Sequence, residues 1–256
     1  MARTRGTGLS FNGECNDGLD GVVGTAAGTS CERTLVARVE RCQTGRRRAL
    51  HCVPMYRILL YLIAGWSGFF VMAIELLGGR LLAPYFGSSI YVWGAIITVF
   101  MLALSLGYLA GGRASLVSPT LKRLAVILVV AALVTLPVLV LGDTMLDRLS
   151  AALTDPRFGS LAGAALLFFL PTFVSGMVSP YAVRLLVADR SSSGHHAGKL
   201  YFVSTFGSAA GTLLTSFYLV LYLEVNQIVL LMAGVSIAVG VLAWLLPVAE
   251  PAGEAT

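Results

Sequence analysis

The sequence predicts an all-α integral membrane protein with six transmembrane helices. Three observations carry this. The 256 residues are 57% hydrophobic and only 12% charged, about half the charged share of a soluble domain. Their mean hydropathy is +0.82. Six apolar stretches reach the ~20 residues that a membrane-crossing helix needs, and Lys and Arg favour alternate connections between them.

Residues 1–54 stand apart. They show neither helical nor strand periodicity, are rich in Gly, Thr and Arg, and lack the apolar core of a signal peptide. Two readings fit: a disordered cytoplasmic tail, or an over-extended start with Met55 as the initiator, the second being preferred. All four cysteines, Cys15, Cys31, Cys42 and Cys52, lie here without C-x-x-C spacing. Neither a zinc site nor any other metal site is expected. Eight of the 18 basic residues fall in residues 1–55. The apolar body has no room for a basic face, so nucleic-acid binding is excluded as an expectation.

The membrane domain is expected over residues 55–247, with a short cytoplasmic tail at 248–256. The first helix runs from about Ile58 to Leu77, or on to Ala83. The second covers about Tyr91–Gly111, the third Leu124–Leu141, and the fourth Ser160–Leu186. The fifth covers about Leu200–Leu221 and the sixth Ile228–Leu246. Pro137, Pro171 and Pro180 predict kinks, because neighbouring helices in a membrane satisfy the carbonyls that proline frees. Between the third and fourth helices, Leu146, Leu149, Ala152 and Leu153 fall at helical spacing. They predict a short amphipathic helix lying on the outer surface.

Ten Lys and Arg residues fall on the side of the N-terminus and three on the other, Arg80, Arg148 and Arg157. The positive-inside rule then places both termini in the cytoplasm and the chain in the cytoplasmic (inner) membrane.

Gly107 and Gly111 in the second helix, and Gly207 and Gly211 in the fifth, form small-residue seams that let helix backbones approach. The two pairs lie 100 residues apart, and "APY" at Ala83–Tyr85 recurs as "SPY" at Ser179–Tyr181. Both point to a 3+3 inverted repeat resembling one half of a major-facilitator transporter.

Glu75 and Arg80 are the charges inside the first apolar run. Counted from Ile58, Glu75 lies about 25 Å into a core of roughly 30 Å, toward its outer boundary. The spacing of five sets the two side chains about 140° apart on an ideal helix. Pairing would need a break, and Gly78-Gly79 is the expected one. Glu75 reads either as a locally bonded interfacial residue beside a snorkelling Arg80 or as a ligand-binding carboxylate facing the bundle. The chain carries no phosphate-binding glycine motif and no nucleophilic triad in a region large enough for a catalytic domain. No cofactor and no catalysis by this chain alone are expected.

"ELLGGRLLAPYFGSS", "LSLGYLAGGR", "FLPTFVSGMVSPYAVRLL" and "GKLYFVSTFGSAAGTLL" together resemble the membrane region of the spermidine synthase-like membrane proteins. The resemblance covers about Tyr56 to Leu246. It departs in the fifth helix, where an Asn-Thr pair of the family reads Ser204-Thr205. It also departs in the aminopropyltransferase domain that comes next in the family, since this sequence ends at Thr256. The resemblance implies a membrane protein that anchors or serves a separately encoded aminopropyltransferase-like partner in polyamine metabolism. The alternative is a small transporter of a cationic molecule such as a polyamine, working as a homodimer, with Glu75, Arg80, Ser204 and Thr205 as candidate site residues.

Overall fold

A computed structural model describes residues 55–117, 119–187 and 194–246 with their side chains, and backbone alone at 28–54 and 193. The readings of residues 1–54 and 248–256 therefore lie outside the residues described in full. The chain divides into two compact units, and the membrane spans belong to the second, Ala49–Thr256.

The described residues are helical and hold six spans long and apolar enough to cross a membrane. The first is α1 (Met55–Phe86) and the second α2 (Ile90–Ala114). The third joins α3 (Leu121–Thr135) to α4 (Pro137–Ala152). The fourth joins α5 (Pro156–Gly176) to α6 (Val178–Leu186). The fifth begins with α7 (Ser193–Leu214), widens into a π-helical turn at Thr215–Leu219, and closes with α8 (Val220–Tyr222). The sixth is α9 (Val225–Leu245).

Local chemistry sets the boundaries. Gly87 takes φ +80° and turns the chain out of α1, a conformation costly for any residue with a Cβ. Thr120 Oγ1 accepts from Arg123 N (3.3 Å) at the start of α3, and Asp155 Oδ1 accepts from Arg157 N (2.9 Å) at the start of α5. Glu224 and Gln227 close a capping box on α9, satisfying donors that an open helix end leaves orphaned.

The prolines act unequally. Pro137 has no N–H to offer the Leu133 carbonyl, which instead takes the Leu136 amide at 3.3 Å, and the helix breaks there. Pro180 likewise withholds a donor from Gly176, and the fourth span is interrupted at Met177. Pro171, by contrast, sits inside an unbroken α5.

Two expectations are corrected. Gly78-Gly79 is not a break, because α1 runs through it to Phe86. These glycines are needed for packing: a Cβ at 78 would meet the Phe168 ring at 3.2 Å, and one at 79 the Trp93 ring at 2.7 Å. The external amphipathic helix is not separate either. Leu146, Leu149 and Ala152 belong to α4, which prolongs the third span past Pro137.

The small-residue seams are backbone contacts. Gly107 and Gly111 lie against the Phe173 and Met177 carbonyls of the fourth span, and Gly207 and Gly211 against the Gly65 and Phe69 carbonyls of α1. With α3 packed on α9, the second span meets the fourth, the fifth meets the first, and the third meets the sixth. A two-fold exchanging the first three spans with the last three produces those pairings. Large apolar side chains such as Leu166, Leu170, Phe202, Phe206 and Phe217 point outward, as expected where lipid replaces water.

Candidate functional site

Where the first and fifth spans face the second and fourth, the helices leave a cleft of about 260 Å³. Its wall is unusual for an apolar bundle. Ser67 comes from α1, Ser105 and Tyr108 from α2, Ser175 and Ser179 from the fourth span, and Ser204 and Ser208 from α7. Glycines open the space: at Gly68 a Cβ would collide with the Ser204 carbonyl and stand 2.8 Å from Ser208 Oγ.

Four of these hydroxyls have their single proton engaged. Ser105 Oγ donates to the Met101 carbonyl at 2.7 Å, Ser175 Oγ to Pro171 at 2.9 Å, Ser208 Oγ to Ser204 at 3.1 Å, and Ser67 Oγ to Ser175 at 3.4 Å. A serine whose proton is engaged retains acceptor lone pairs only. The cleft is thus rich in acceptors, a chemistry that suits a ligand carrying N–H donors or positive charge.

Behind the cleft, a polar link ties the first span to the sixth. Trp66 Nε1 donates to Ser236 Oγ at 2.9 Å, and Ser236 Oγ donates to the Met232 carbonyl at 2.8 Å. At the far end Tyr85 donates to Asp143 Oδ1 at 3.2 Å, and the Arg157 guanidinium lies over the Tyr91 ring, 4.4 Å from its centroid.

The sequence-predicted residues divide. Ser204 lines the cleft, whereas Thr205, the next residue on the helix, is exposed on the outer side. Arg80 is exposed, and the continuous helix keeps it about 140° from Glu75. Glu75 Oε2 is buried without a hydrogen-bond partner. Eleven residues of α1 follow Glu75, ending at Phe86, about 16 Å of helix. Glu75 stands seven residues beyond Gly68, which puts it on the same stripe as the cleft and about 10 Å further along.

Ser67, Ser105, Ser175 and Tyr108 join the site without having been singled out in the sequence. The signal that could have found them is serines four apart within apolar helices, Ser175–Ser179 and Ser204–Ser208. Among the described residues no three His, Cys, Asp or Glu side chains gather into a metal site. No family model, curated protein or solved structure matches the chain, so the reading of this cleft rests on its geometry.

Proposed function

We propose that the protein binds a small cationic molecule bearing N–H donors in the cleft between its paired spans, as the ligand-binding unit of a membrane carrier. The observation that carries this is the acceptor-only state of Ser67, Ser105, Ser175 and Ser208. An ammonium group entering the membrane loses hydration, and closely spaced acceptors replace it. The excess of Arg and Lys at the end where α2 finishes and α7 begins supports a cytoplasmic placement of that end and of both termini. The serines lie toward that same end.

The resemblance makes a polyamine the first ligand to test. Proteoliposomes holding the chain are expected to take up labelled spermidine, and Ser105→Ala together with Ser175→Ala to reduce uptake several-fold. A fully N-methylated analogue, which keeps its charge but has no N–H, should compete poorly. Uptake equal to that of empty liposomes would remove the proposal.

A soluble aminopropyltransferase-like partner is a second proposal, and it stands on the resemblance alone. Its test is affinity purification in mild detergent, with recovery of such a protein as the supporting result and recovery of none as the opposing one.

A further inference from the structure

Among the described residues four buried polar side-chain atoms have no hydrogen-bond partner, and two of them lie close in register: Glu75 Oε2 and Thr215 Oγ1. Thr215 is completely buried. The first and fifth spans run parallel, with Gly207 on Gly65 and Gly211 on Phe69. Another contact of the same seam joins Gly68 to Ser208, where a Cβ at 68 would stand 2.8 Å from Ser208 Oγ. Glu75 lies seven residues beyond Gly68, and Thr215 seven residues beyond Ser208. Two turns carry each within about 20° of its starting face, so the stripes that meet at Gly68–Ser208 lead to Glu75 and Thr215. At Thr215 the helix also leaves α geometry for a π turn, a distortion frequent at functional sites.

Among the described residues no charged group pairs with Glu75. It is the one carboxylate in the first, second, fourth, fifth and sixth spans. Arg80 projects away from it. On the neighbouring elements Arg157 engages Tyr91 at the far end, Asp143 engages Tyr85, and Asp147 sits one turn on from Asp143. The other ionisable groups on these elements are Tyr108 and Arg113 of α2, Arg148 of α4, His195, His196, Lys199 and Tyr201 of α7, Tyr218 of the π turn and Tyr222 of α8; α9 contributes none. A carboxylate oxygen buried without a partner is strongly disfavoured, and a proton is the smallest counter-charge that resolves it.

We propose that Glu75 and Thr215 form a proton-binding site inside the membrane. The Glu75 carboxylate takes a proton from water reaching it along the cleft. The resulting carboxylic acid donates to Thr215 Oγ1, and release returns the proton by the same route. No electrons move and no other bond changes. The site is independent of what the cleft binds.

The test is modification of the purified full chain with dicyclohexylcarbodiimide across a pH series. The reagent takes the proton of a carboxylic acid in an apolar setting while the carboxyl oxygen adds to its central carbon. The peptide containing Glu75 is expected to carry the adduct at low pH and lose it as pH rises. Thr215→Val should shift the midpoint of that loss to lower pH, because the protonated form loses its acceptor. Thr215→Ser and the outward-facing Thr205→Val should keep the wild-type midpoint. Absence of the adduct at every pH, modification independent of pH, or a Thr215→Val midpoint equal to that of Thr205→Val would each overturn the proposal.

Discussion

Gly207 of α7 rests directly on the backbone of Gly65 in α1: a Cβ at 207 would overlap the Gly65 carbonyl oxygen and lie 2.9 Å from its Cα. No side chain stands between the two helices there, so close packing holds this pair rather than exclusion of water. Gly207→Ala must push the spans apart or shift the register. We expect it to destabilise the fold by about 1–3 kcal/mol, read as a lower midpoint of SDS-induced unfolding in mixed micelles. Gly234 gives the control, because nothing lies within 4 Å of a Cβ placed there. Gly234→Ala should be neutral or raise the midpoint, since alanine is the better helix former.

The Trp66–Ser236 hydrogen bond joins the first span to the sixth across 170 residues of sequence. Hydrogen bonds inside membrane proteins contribute modestly, about 0.6 kcal/mol on average and up to ~1.7 kcal/mol. Trp66 also stacks on Phe69 at 5.4 Å between ring centroids, and Trp66→Phe leaves an aromatic ring for that contact. A double-mutant cycle of Trp66→Phe and Ser236→Ala should therefore return a coupling of about 1 kcal/mol. Strict additivity would show that the pair contributes nothing.

The six spans were legible because a hydrocarbon layer permits only long apolar helices, and length and composition record that requirement. The packing glycines were legible too, since Gly107, Gly111, Gly207 and Gly211 announce a close approach at four-residue spacing. Their contacts were not. Gly78-Gly79 shows why: the same pair suits a helix stop or a surface for a large ring. Only the positions of Phe168 and Trp93, 90 and 14 residues downstream, decide between them. The cleft was half legible. Ser204 stood out, but Ser67, Ser105 and Ser175 become one site only once the spans pair. The π turn at Thr215 left no recognised mark in the sequence.

Gly87 separates backbone strain from packing. Its φ is +80°, and a Cβ there would have nothing within 4 Å. Substitution thus meets no steric neighbour and costs only the left-handed conformation, about 1–2 kcal/mol for an ordinary L-residue. Gly87→Ala should lower the unfolding midpoint by that amount, and Gly87→Asn by less, because asparagine enters this region more readily. Equal losses in the two variants would mean that the turn has another conformation.

Water access separates a cleft from a lipid-facing groove, and α7 offers the comparison on one helix. Ser208 lines the cleft, while Thr205, three residues earlier, is exposed on the outer side. A water-soluble thiosulfonate reacts with thiolate, which forms where water reaches the thiol. With Cys15, Cys31, Cys42 and Cys52 replaced by serine, the Ser208→Cys protein should react roughly tenfold or more faster than the Thr205→Cys protein. The reagent's charge carries the second half of the test. Engaged serine protons leave acceptors facing the cleft, so a cationic thiosulfonate should outpace an anionic one in the Ser208→Cys protein. In the Thr205→Cys protein the two reagents should differ little. Faster reaction of the anionic reagent in the Ser208→Cys protein would invert the polarity assigned to the cleft.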